Sequence, residues 1–240
     1  MKGKERLIVA LDVESLDEAR RWIEELRQEV GLFKIGLELY ARYGTALFEV
    51  MRQEKVPYFF DCKFHDIPNT VAGASRALVG QGIFMFNLHA SGGSEMMKAA
   101  LNAVSEEAKT QSVTRPLIVS VTILTSISKE ILEQELGVKQ TLDETVGRLA
   151  LLSQKAGLDG VVCSAHEVET IRRLCGTDFL TITPGIRPAW SAGDDQKRIV
   201  TPAQAMKNGS TYIVVGRPIT REKNKADAAR KIVEEMDSVL

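Results

Sequence analysis

What most limits the folds open to this chain is a pattern that recurs eight times in 240 residues: a short apolar run, then a segment with helical spacing. The runs fall at 7–12 (LIVALD), 32–38 (LFKIGLE), 58–63 (YFFDCK), 83–89 (IFMFNLH), 116–124 (PLIVSVTIL), 160–164 (GVVCS), 179–183 (FLTIT) and 211–215 (TYIVV). Runs this short, rich in Val, Ile, Leu and Phe, read as parallel strands buried on both faces. Ser15-Leu16-Asp17-Glu18 has capping-box spacing, and Trp22, Ile23 and Leu26 mark the apolar side of the helix it opens. Further helices are expected around 46–50, 70–79, 96–108, 142–155, 167–174, 202–208 and 225–236. Eight strand–helix units in about 250 residues is the arithmetic of an α/β protein of the (β/α)8 TIM-barrel type. A doubly wound open sheet is the other solution, but no G-x-G-x-x-G follows the first run. No linker rich in Pro, Gly or Ser breaks the pattern, so residues 1–240 are expected to form a single barrel domain.

Charge and cysteine content narrow the partners. With 31 basic and 32 acidic residues the formal net charge is -1, which gives no bulk attraction to nucleic acid or anionic membrane. No apolar run approaches the ~20 residues that span a bilayer. The opening residues, Met1 to Arg6, carry no signal-peptide core, so a soluble, cytoplasmic protein is expected. Cys62, Cys163 and Cys175 are odd in number and form no C-x-x-C, against a disulfide framework or a zinc knuckle.

In barrels of this kind the active site lies at the C-terminal ends of the strands, which makes the polar residues there the candidates. They are Asp12, Lys34, Glu38, Asp61, Lys63, Asp66, His89, Thr122, Thr125, Ser126, Arg187, Gly216 and Arg217. The densest stretch is 59–70 (FFDCKFHDIPNT). Alternation along a strand puts Asp61 and Lys63 on one face and Cys62 on the other. Ile67-Pro68 must break the strand, which leaves Asp66 on the loop beyond. Charges at the end of a buried strand are costly unless paired or used. An edge-strand salt bridge would explain a lone Asp-x-Lys, and a structural ion network is the bland account of the larger group. Lys34 on the adjacent strand tips the balance, because carboxylates beside both lysines hold them protonated. A protonated, fixed lysine is a general acid suited to a carbanion.

Gly216-Arg217 after the eighth run suits a phosphate: glycine lets the backbone approach, and the guanidinium fork matches phosphate oxygens. The run 188–198 is poor in apolar residues and longer than an ordinary connection, so it reads as a lid or as a solvated excursion, with Gln196 and Arg187 in reach of a ligand. His65 falls inside the charged stretch and His89 at the rim, while His166 opens a helix. None has zinc-site spacing, and no Ser-His-Asp or Cys-His arrangement emerges.

The motifs LIVALD, FKIGLELY, DCKFHDIPNTV, NLHASGG, LTS, GLDGVVCS, TPGIRP and IVVGRPIT, in this order, resemble those of the orotidine 5′-phosphate decarboxylase family, bacterial type. The likeness covers essentially the whole chain, and DxKxxDIPNTV is its most specific part. It implies decarboxylation of orotidine 5′-phosphate to uridine 5′-phosphate, the last step of de novo pyrimidine nucleotide synthesis, with no metal and no organic cofactor. Carried over residue by residue, it implies that Lys63 protonates C6 after carbon dioxide leaves. Asp61, Lys34 and Asp66 complete the charged network, Asp66 reaching the neighbouring subunit's site. Asp12 and Lys34 hold ribose hydroxyls, with Thr70 helping from the partner chain of a homodimer. Thr125 and Ser126 lie near the base, and Arg187, Gln196, Gly216 and Arg217 grip the phosphate.

Two competing readings remain at this level. A magnesium-dependent sugar-phosphate decarboxylase or aldolase of the same superfamily shares the D-x-K-x-x-D strand but holds its metal with an acid on strand two, where this chain has Lys34. A catalytically silent nucleotide-binding barrel would have no need of the intact set Lys34, Asp61, Lys63 and Asp66.

Overall fold

Each apolar run folds as a strand, because both of its faces find an apolar partner. The computed structural model describes residues 1–191 and 200–240. Its strands are β1 (Leu7–Ala10), β2 (Leu32–Ile35), β3 (Tyr58–Phe64), β4 (Ile83–His89), β5 (Leu117–Val121), β6 (Gly160–Val162), β7 (Leu180–Thr183) and β8 (Tyr212–Val215). They pair in parallel in sequence order and close as a barrel, with Ile8 of β1 opposite Val214 of β8. The helices are α1 (Gly3–Arg6), α2 (Leu16–Leu26), α3 (Leu37–Tyr43), α4 (Ala46–Glu54), α5 (Pro68–Arg76), α6 (Gly93–Gln111), α7 (Leu142–Lys155), α8 (Val168–Cys175), α9 (Pro202–Lys207), α10 (Arg217–Thr220) and α11 (Lys225–Asp237).

Side-chain alternation sorts the strands into two layers. Inward residues Ile8, Leu32, Phe59, Met85, Val119, Ile182, Tyr212 and Val214 form one buried cluster that fills the barrel. Burying a side chain of this size is worth roughly 1.5–3 kcal/mol, so the interior is a packed plug and not a pore. Outward residues such as Val9, Phe33, Phe60, Phe86 and Ile213 pack instead against Ile23, Phe48, Met97 and Ile232 of the surrounding helices. Gly160 marks a tight point: a Cβ there would stand 2.3 Å from the Leu180 carbonyl oxygen of the neighbouring strand.

Local signals set the helix ends. Ser15 Oγ accepts from the Glu18 N–H at 3.1 Å, but the Glu18 carboxylate accepts from Glu14 and not from Ser15, so only half of the expected box forms. A complete capping box opens α7, where Thr141 and Glu144 exchange both bonds. β2 is shorter than expected. It stops at Ile35, Gly36 caps α3, and Glu38 falls in that helix, exposed and paired with Arg42, so it leaves the set of rim residues.

The N-terminal face of the barrel is clasped. Arg115, just before β5, makes two 2.7 Å bonds to Asp159, just before β6, and the same carboxylate accepts from the Ile118 N–H. Arg172 donates to the carbonyls of Gly209, Thr177 and Phe179 nearby. These groups tie strand starts together and leave the opposite end for chemistry.

Candidate active site

Lys34 and Asp61 stand two positions beyond the plug residues Leu32 and Phe59 on their strands, so they share that inward direction one layer higher, at the C-terminal mouth. Four charges form a line there. Asp12 Oδ1 lies 3.6 Å from Lys34 Nζ, which lies 3.6 Å from Asp61 Oδ2, and Lys63 Nζ donates to Asp61 Oδ1 at 2.6 Å. The side chain of Asp12 is 64% exposed, whereas those of Lys34, Asp61 and Lys63 are 13, 15 and 26% exposed. Little water therefore separates the inner three, and their mutual attraction is only weakly screened. Burial pushes the Asp61 carboxyl up. The ammonium groups of Lys34 and Lys63, with hydrogen bonds from Lys63 and Asn87, outweigh it and hold the group below its usual range.

Lys63 reaches this place by an irregular route. Phe60 pairs with Phe86 and Phe64 with Leu88, so four steps along β3 match two along β4. The excess bulges out, and Lys63 takes the left-handed conformation with φ +51°. For a residue with a Cβ this costs on the order of 1–2 kcal/mol. Bulges of this kind re-aim side chains beside active sites. Asp61 and Lys63 do share a face, as alternation suggested, but the bulge and not a regular pleat brings the ammonium back onto the carboxylate. Cys62 points away into the outer core, its thiol donating to the Asn87 carbonyl at 3.0 Å.

A cavity of about 210 Å³ opens beside these charges. Lys34, Asp61 and Lys63 line one side, and Phe59, Val121, Val162, Val214 and Thr125 are among its other walls. A larger cavity of about 760 Å³ lies outside the barrel, among Asp143, Arg148 and Lys155 of α7 and Arg173 of α8. No strand end contributes to it, so the smaller cavity is the one with chemistry.

The other expected residues are placed as follows. Asp66 is exposed on the loop after β3, accepting from the Ile67 N–H at 2.6 Å. Thr70 is exposed on α5, and Thr125 and Ser126 are exposed after β5. Arg187 follows β7, half-buried, with its N–H on the Val200 carbonyl. Gly216 lies beside Asp12, a Cβ on it standing 3.9 Å from Asp12 Oδ2, and Arg217 is exposed at the start of α10. Gln196 lies outside the described residues. His65 and His89 lie side by side, their ring centroids 5.5 Å apart and their planes tilted by 34°. Burial, then the nearby His65 and Lys63 charges, push His89 below its usual value. Among the described residues, no group of three or more His, Cys, Asp or Glu is placed to hold a metal ion.

Two residues escaped the sequence reading. Asn87 is fully buried on β4 and hydrogen bonds both Asp61 and Lys63. A lone amide in IFMFNLH was its signal. Gly36 is the other: a Cβ there would stand 3.0 Å from Lys34 Nζ, so its smallness leaves the lysine its place.

The family model described as Orotidine 5′-phosphate decarboxylase / HUMPS family matches residues 5–232. The chain belongs to this family. An orotidine 5′-phosphate decarboxylase of Syntrophomonas wolfei is 48% identical over 238 residues, covering 99% of this chain and 100% of the relative. One from Moorella thermoacetica is 46% identical, covering 100% of this chain and 95% of its own. The crystal structure of orotidine 5′-phosphate decarboxylase from Lactobacillus acidophilus superposes with a TM-score of 0.85 at 36% identity, covering 96% of this chain and 98% of that one. Family membership thus extends over the barrel and over every strand that contributes to the charged mouth.

Proposed function

We propose that this chain decarboxylates orotidine 5′-phosphate to uridine 5′-phosphate, with Lys63 as the acid that protonates C6. The observation that carries the mechanism is the line Asp12, Lys34, Asp61, Lys63, set beside a cavity at the mouth of a closed barrel. Relatives of this name at 46–48% identity over almost the full chain support the reaction.

The chemistry asks for such a line. Loss of carbon dioxide from the pyrimidine leaves an electron pair in the ring plane, where the π-system delocalises it poorly. Enzymes lower barriers by ~8–23 kcal/mol, and this reaction calls for the upper end. An ammonium fixed before the reaction, in a place with little water, stabilises charge where it develops and then delivers the proton. Asp61 fixes Lys63 through its 2.6 Å bond, and Lys34 offsets the charge on the other oxygen of Asp61. Asp12 and Lys34 hold the ribose hydroxyls, and Thr125 and Ser126 lie along the base. Arg187, Gln196, Gly216 and Arg217 take the phosphate, whose remote binding energy goes into ordering the site. No metal or organic cofactor takes part.

The working form in this reading is a homodimer with shared sites. Its support is that residues 65–70, just beyond Lys63, are all exposed, Ile67 at 67%. Asp66 and Thr70 belong to this exposed run and, in this reading, serve the partner's site. Residues 1–240 form one barrel domain, and the protein works in the cytoplasm. Among the described residues, no helix is long and apolar enough to cross a membrane.

An absorbance assay with orotidine 5′-phosphate, in the presence and absence of EDTA, tests the reaction. Lys63→Ala is expected to lose nearly all turnover while still binding uridine 5′-phosphate. A kcat near that of the wild type in this variant would remove Lys63 from its role.

A further inference from the structure

The bulge in β3 creates a problem that β4 solves. With four residues of β3 spanning two of β4, the Lys63 N–H has no carbonyl opposite it in the ladder. The Asn87 side chain supplies the missing acceptor, its Oδ1 receiving the Lys63 N–H at 2.7 Å. The other end of the same amide, Nδ2, donates to Asp61 Oδ1 at 2.7 Å, the oxygen that also takes Lys63 Nζ. The Asn87 backbone carbonyl accepts the Cys62 thiol. One buried residue therefore touches each of three consecutive positions, 61, 62 and 63.

We propose that Asn87 is a positioning residue for the reaction: its amide locks the left-handed turn at Lys63 and the orientation of the Asp61 carboxylate together. This rests on the function proposed above and deepens it. Only a planar group with an acceptor at one end and a donor at the other fits both bonds. A carboxylate has no donor for Asp61, and an aliphatic chain has neither. The amide is nowhere exposed, so no water can substitute for either bond without a rearrangement. The charged or titratable groups facing it are Asp61, Lys63 and the Cys62 thiol on β3, with His89 two positions along β4; its pairing partner on β5, Val119, is apolar.

The role predicts a split between rate and binding. Asn87→Ala is expected to lower kcat at least 100-fold while the Kd for uridine 5′-phosphate, anchored by its ribose and phosphate, stays within about threefold. Asn87→Asp gives a sharper test. Protonated, the new side chain has an O–H for Asp61 and a carbonyl oxygen for the Lys63 N–H. Ionised, it sets two carboxylates face to face. Its kcat relative to wild type should therefore rise as the pH is lowered from 8.5 to 6.

The experiment measures kcat across this pH range for wild type and both variants, with uridine 5′-phosphate binding by calorimetry. Asn87→Ala with kcat within threefold of wild type overturns the proposal. So does a parallel loss of kcat and nucleotide binding, which would make Asn87 a fold residue only, and so does an Asn87→Asp pH profile parallel to wild type. If Asn87→Ala does not fold, the Asn87→Asp profile decides alone. A wild-type chain with no decarboxylation would bring down the function itself, a result distinct from an active wild type indifferent to position 87.

Discussion

Glu167 allows a quantitative test of how burial at the β6 exit is balanced. Its carboxylate accepts from the Ser164 N–H at 2.9 Å and is half-buried. Burial pushes its pKa up to about 7 from 4.5, with the Ser164 bond opposing and Asp143 adding to the rise. The folded value lies above the unfolded one, so the folded state holds a proton that the unfolded chain has released between these two values. The stability linked to Glu167 is thus fully present below pH 4.5 and is lost as pH rises through about 7. At about 1.36 kcal/mol per pKa unit, the ceiling is about 3 kcal/mol. Residual contact with water lowers the expected loss to about 1–2 kcal/mol. Glu167→Gln keeps an acceptor for Ser164 and never ionises. Urea unfolding of wild type and variant at pH 5 and pH 8 isolates the effect, because other titrating groups cancel in the difference. The variant should gain about 1–2 kcal/mol on wild type between the two pH values. A difference that does not change with pH would refute the reasoning.

The floor and the phosphate end give two further tests. Arg115→Ala leaves Asp159 with the Ile118 N–H alone and should lower the unfolding free energy by about 1–3 kcal/mol, measured in urea, with kcat unchanged. A matching fall in kcat would contradict the separation of floor from mouth. Arg217→Ala should raise KM for orotidine 5′-phosphate at least tenfold in steady-state assays, since a phosphate loses a charged hydrogen-bond partner. An unchanged KM would remove Arg217 from the phosphate site.

Much of the barrel was legible because strand and helix leave different periods in the sequence, and eight repeats leave few topologies open. Boundaries were legible only where local chemistry marks them. β2 stops three residues early because Gly36 takes the N-cap of α3 and the last residues of the run join that helix, a hand-over that apolar content alone does not record. The half-formed box at Ser15 shows the same limit, since where the Glu18 side chain turns depends on Glu14. In the site, Lys34, Asp61 and Lys63 could be read from their strand-end positions. Asn87 could not, because its importance comes from a slip in register between β3 and β4 that is visible only when both strands are seen side by side. Asp66 and Thr70 raise a different limit, for the role proposed for them involves a second chain.

The filled barrel interior has a consequence for traffic. Because eight side chains stop the channel from below, nothing can pass through the barrel, and among the described residues the charged mouth is reached from the C-terminal side. A nucleotide held at this mouth has to leave by the side it entered before the next can take its place.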